Sequence, residues 1–97
     1  MTRTDVLDTV RLVAPELKRL GLCKLYLFGS VARGELRTND VDLLYEAESD
    51  EALDFFNLVD ATERLQALLG RPVDLVDRKL LHRRIRSRVE AELVEIY

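Results

Sequence analysis

Hydrophobic periodicity along the chain predicts an α/β (α+β) domain, a small mixed β-sheet flanked by helices. Two features carry that prediction. Segments whose apolar residues recur at helical spacing alternate with short continuous apolar runs, and glycine or proline stands at most junctions between them. There is no internal repeat, low-complexity tract or linker, so residues 1–97 are read as a single domain.

Each element has its own justification. Val6, Val10, Val13, Leu17 and Leu20 share one helical face, interrupted by Pro15. Proline lacks a backbone donor and disfavours helix at the residue before it, so a kink or two short helices are expected. Gly21 is placed to cap the second one. "KLYLF" (24–28) is apolar after Lys24 and predicts a strand covered on both faces. A loop with room for one helical turn leads to a second strand, "VDLLYE" (41–46). The next helix is expected to be capped at Ser49 or Asp50 and to bury Phe55, Leu58, Thr62, Leu65 and Leu69 before Gly70 ends it. "RPVDLVD" (71–77) reads as a short third strand, with Pro72 tolerated at its start. Leu81, Ile85, Val89 and Leu93 follow at four-residue steps, predicting a long amphipathic helix from Lys79 to the end.

Composition bounds the setting. The formal net charge of -3 supplies no global drive toward nucleic acid or anionic membranes. The single cysteine, Cys23, cannot form an internal disulfide and is expected to be a buried, inert thiol. "MTRTDVLDTV" lacks the pattern of a signal peptide, and no apolar run is long enough to span a bilayer. A cytoplasmic protein is the expectation.

The chemistry lies in "YLFGSVARGELRTNDVDLLYE" (26–46). On a strand, residues two apart face the same way, so Asp40 and Asp42 project together while Val41 and Leu43 point opposite. Paired carboxylates raise each other's pKa, and either open water or a bound cation relieves them. Asp74, between Val73 and Leu75 in the third strand, offers another carboxylate if the two strands are neighbours. Asp77, at the strand end, reads as an exposed turn residue. Gly29 and Ser30 end the first strand in a turn that allows close backbone approach and can offer N–H and hydroxyl donors to phosphate. Arg33 can pair with phosphate oxygens, and Gly34 lets the chain leave. The run lacks the lysine of a Walker loop and the third glycine of a dinucleotide fingerprint.

Taken together, "LFGSVARGELRTNDVDLLYE" resembles the signature of the DNA polymerase beta-type nucleotidyltransferase superfamily. The "GSVARG" form and the small size resemble its minimal nucleotidyltransferase (MNT) branch, which includes MntA-type antitoxins. The resemblance extends over essentially the whole chain. It implies that Gly29 and Ser30 hold the triphosphate of ATP and that Asp40 and Asp42 bind magnesium, two ions in all. It implies that Asp74 completes the metal site and helps activate the attacking hydroxyl. The spacer between Ser30 and Asp40 is one residue shorter than is usual in that branch, and Asn39 stands where serine or aspartate is commoner.

The resemblance also implies a partner, a HEPN-type toxin to which the transferase attaches AMP on a tyrosine. A contact-only antitoxin and transfer to a small molecule are the other readings. The last helical segment gathers Arg78, Lys79, Arg83, Arg84, Arg86 and Arg88 in its first half and Glu90, Glu92 and Glu95 in its second, against the helix dipole. It is read as a solvated face paired with the acidic stretch at 46–54, or as a surface for an acidic partner or phosphates. Direct nucleic-acid binding is disfavoured because no aromatic platform accompanies the cations. His82, alone among them, is expected at the surface.

Overall fold

The computed structural model describes residues 2–35, 40–48 and 53–97. Helices α1 (Arg3–Arg11) and α2 (Ala14–Leu20) lead into strand β1 (Leu22–Phe28) and a single-turn helix α3 (Gly29–Ala32). Strand β2 (Val41–Ala47), helix α4 (Phe55–Leu69) and strand β3 (Val73–Asp77) follow. A 3₁₀ turn (Arg78–Leu80), helix α5 (Arg83–Glu92) and strand β4 (Val94–Glu95) complete the described chain. The sheet order is β3-β2-β1-β4, with β2 and β3 parallel and the other pairs antiparallel.

The first two helices arise as the pattern predicts. Thr2 and Asp5 form a reciprocal capping box on α1, and Pro15 sits in the first turn of α2, where its missing N–H costs nothing. Gly21 takes a left-handed conformation and ends α2. Val6, Val10 and Leu17 pack with Leu25, Leu27, Val41, Leu43, Leu65 and Leu69 into the main core. A smaller cluster on the other face joins Leu44, Leu81 and Val89 to Tyr26, Phe28, Val76 and Leu93. The architecture is therefore three layers, with α1, α2 and α4 on one face and α5 on the other.

The structure corrects several expectations. The terminal helix does not run from Lys79 to the end. Asp77 accepts a hydrogen bond from the Lys79 N–H at 2.9 Å and turns the chain, and His82 Nδ1 accepts from the Arg84 N–H at 3.1 Å to start α5. After Glu92 the backbone becomes extended, and Val94 and Ile96 alternate into the core beside β1, with Ile96 only 3% exposed. Here burial of β-branched residues on a sheet edge overrides the helical period. His82 is at the surface as expected, but as a helix cap.

Helix α4 starts at Phe55, capped by Asp54, whose carboxylate accepts from the Asn57 N–H at 2.9 Å. Ser49 and Asp50, the expected caps, lie outside the described residues. Phe55 is 71% exposed; the buried face of α4 is Ala61, Leu65 and Leu69, with Leu58 and Thr62 half-buried beside it. Cys23 is exposed, because the bulge between Leu22 and Lys24 shifts the strand's alternation. The pairing expected between the basic segment and the acidic stretch exists at Glu46. Arg78 lies 3.5 Å from Glu46 and 3.5 Å from Glu90, stacks over the Tyr26 ring at 5.3 Å, and Tyr26 donates to Glu46 at 2.9 Å.

Candidate active site

The strand register assembles the site. Asp42 is the partner of Phe28 in β1 and of Asp74 in β3, so the end of β1 and the two carboxylates form one row across the sheet. Asp40 lies directly before β2 and, by alternation, on the same side as Asp42. That is the face carrying Leu44 and Val76 toward α5, while Val41 and Leu43 enter the opposite core as expected.

Asp42 is half-buried, whereas Asp40 and Asp74 are exposed. Burial is the main cause that pushes the Asp42 carboxyl above the usual carboxylate range; the negative charges of Asp74 and Asp40 add to it, and Arg33 opposes it. The three aspartates thus share one electrostatic neighbourhood. Among the described residues, no group of three or more carboxylate, imidazole or thiol side chains closes around one point as a metal cage. The donor set still suits magnesium, since it consists of hard carboxylate oxygens whose mutual repulsion a cation would relieve.

Glycine is required where β1 turns into α3. Gly29 has φ +76°, a conformation other residues rarely take, and a Cβ placed there would collide with the Asp42 carboxylate, lying 3.0 Å from its Cγ and 3.2 Å from its Cβ. The turn backbone therefore rests directly against the central carboxylate. Ser30 follows in the first turn of α3, where N–H groups lack helical acceptors. The turn is fixed from its far end: the Glu35 N–H donates to the Ser30 carbonyl at 2.9 Å, and Arg3 Nη1 donates to the Ala32 carbonyl at 3.2 Å.

Arg33 caps α3, and its guanidinium is engaged with carboxylates. Nε donates to Glu35 at 3.1 Å, and Nη1 lies 3.1 Å from both oxygens of Glu92 at the end of α5. Nothing in the local spacing marks Glu92 as its partner, because the contact spans most of the chain. The wide separation of Gly29, Asp42 and Asp74 along the chain likewise hides how closely the register brings them together.

Comparison with known proteins agrees with this geometry. The family profile described as nucleotidyltransferase domain matches residues 10–96. A Methanocaldococcus jannaschii protein, named as a proposed protein adenylyltransferase, is 31% identical over 93 residues, covering 95% of this chain and 98% of its own. The protein adenylyltransferase MntA of Thermococcus cleftensis is 36% identical over 80 residues, covering 81% and 79%. A solved structure described as a proposed minimal nucleotidyltransferase superposes with a TM-score of 0.79 at 32% identity, covering 97% and 95%. The fold also matches the structure of a tri-AMPylated Shewanella oneidensis HEPN toxin in complex with MNT antitoxin, with a TM-score of 0.70, 19% identity and coverage of 99% and 72%. This chain belongs to the nucleotidyltransferase family.

Proposed function

We propose that the chain transfers AMP from ATP to a tyrosine hydroxyl of a partner HEPN toxin and so acts as its antitoxin. The observation that carries this reading is the row formed by the Gly29–Ser30 turn, Asp42 and Asp74 within a nucleotidyltransferase fold. The relatives named for protein adenylylation, and the AMPylated toxin seen with an MNT antitoxin of the same fold, support a protein acceptor of this kind.

The close backbone approach at Gly29 and the donors around Ser30 cradle the β- and γ-phosphates. Arg33 adds a charge-assisted donor to them by exchanging a carboxylate partner for a phosphate oxygen. Asp40, Asp42 and Asp74 would hold magnesium. When bound, it neutralises charge on the reacting phosphate and lowers the pKa of a coordinated oxygen. Asp74 stands on the side of Asp42 away from the phosphate turn, and there it orients the acceptor hydroxyl and takes its proton. The acceptor oxygen bonds to the α-phosphorus, the bond to the bridging oxygen breaks, and pyrophosphate leaves with the electron pair toward Gly29, Ser30 and Arg33.

Incubation with ATP, magnesium and the co-expressed partner, followed by mass spectrometry of the partner, tests the assignment. The expected product is an AMP adduct on a tyrosine that is lost with Asp42→Asn. Protection of the partner that persists in Asp42→Asn without any adduct would establish a contact-only antitoxin instead.

A further inference from the structure

The open edge of the sheet lies on the acceptor side of this site. Strand β3 is at the edge, and the Val41 N–H donates to the Pro72 carbonyl at 2.9 Å. By the alternation of a parallel pair, Pro72, Asp74 and Val76 turn their backbone groups toward β2, and Val73 and Leu75 turn theirs outward. The Val73 N–H is taken by the Gln66 side chain at 3.1 Å. Among the described residues, nothing pairs with the outward N–H and carbonyl of Leu75.

Beside this edge runs a groove of about 310 Å³ lined by Leu58, Val59, Thr62 and Glu63 of α4 and by Val73, Asp74 and Leu75 of β3. One helical turn before Leu58 and Val59 on α4, Phe56 and Phe55 are 79% and 71% exposed and stack edge to face at 6.0 Å. Exposed aromatic residues grouped this way mark protein contacts.

We propose that the protein acceptor docks as an extended segment added to the open edge of β3, with apolar side chains in the α4–β3 groove. This rests on the adenylyl-transfer reading above. Residues opposite each other in neighbouring strands point to the same face, at a strand spacing of about 4.8 Å. Residues of the added segment opposite Val73 and Leu75 therefore enter the groove, and the residue between them stands on the reaction face beside Asp74. A hydroxyl-bearing residue at that position is delivered to the carboxylate that activates it. Glu63, exposed and without an ion-pair partner among the described residues, favours a cation on the groove side of the segment. Main-chain pairing supplies affinity and alternate side chains supply specificity, as in other cases of strand addition.

The test compares wild type with Phe56→Glu/Val59→Glu and with Leu75→Pro, using α-labelled ATP, magnesium and the co-expressed HEPN partner. Proline on an edge strand removes the outward N–H while sparing the β2 pairing. The expected result is a KM for the partner raised at least tenfold, with ATP affinity unchanged in both variants. The double variant carries the test alone if Leu75→Pro unfolds. An unchanged KM, or an equal loss of ATP affinity, would overturn the docking surface. So would a wild-type dimer in size-exclusion chromatography that the double variant splits, because the occupant would then be a second copy. Absence of labelling by the wild type itself refutes the adenylyl-transfer reading, and is distinguished by occurring before any variant is compared.

Discussion

Gly29→Ala perturbs the site through two separable effects. The first is backbone strain, because φ is +76° and an L residue in the left-handed region costs about 1–2 kcal/mol. The second is steric, because the new methyl group lies 3.0 Å from the Asp42 Cγ and 3.2 Å from its Cβ, so Asp42 must rotate away or the turn must lift. A loss of about 1–3 kcal/mol in stability is expected, and in a domain of this size each 1 kcal/mol lowers Tm by roughly 4–8 °C. Displacing a reacting group by about 1 Å costs on the order of 100-fold in rate. The control is Gly70→Ala, with φ +66° but nothing within 4 Å of the added Cβ, which carries the strain without the collision. Thermal unfolding and transfer from α-labelled ATP are measured on both variants. Both should lose stability, and only Gly29→Ala should lose transfer by 100-fold or more. Equal transfer by the two would refute the claim that the turn backbone sets the position of Asp42.

Other outcomes follow from the same geometry. Asp42 titrates above its unfolded value, so its ionisation costs stability that is fully felt above the folded pKa and absent below the unfolded one, near pH 4. In metal-free buffer Asp42→Asn should therefore be more stable than wild type at neutral pH, and calorimetry should show that gain vanish as the pH falls through the carboxylate range, while transfer is abolished. Arg33→Ala should weaken ATP binding by about 10- to 100-fold, the value of charge-assisted hydrogen bonds, and Glu92→Gln should leave it equal or tighter in isothermal titration; weaker binding by both would assign the pair to structure alone. Ile96→Ala, at a site 3% exposed, should cost about 2–5 kcal/mol in urea unfolding, and a negligible change would contradict the packing of the chain end as a strand.

Much of the fold was legible because its signals are local. Proline in the first turn of α2, glycine at the ends of α2 and α4, and the period of two through Asp40–Leu43 each fix structure within a few residues. The fourth strand was not legible, since Leu81, Ile85, Val89 and Leu93 keep a helical period while Val94 and Ile96 are recruited by the distant edge of β1. Phe55 fits the inner face of α4 by spacing, yet stands at its first residue and is exposed. Asp42 and Asp74 were recognisable as carboxylates in apolar strands, but their register as neighbours is a property of the crossover through α4. The engagement of Arg33 by Glu92 rests on the docking of α5 and has no trace in the spacing.

Labelled ATP tests the central claim most directly. Incubated with magnesium and the co-expressed HEPN partner, the protein should transfer label to the partner from α-labelled ATP and none from γ-labelled ATP, with Asp42→Asn and Asp74→Asn inactive. Transfer from the γ position, or transfer that survives both substitutions, would contradict it.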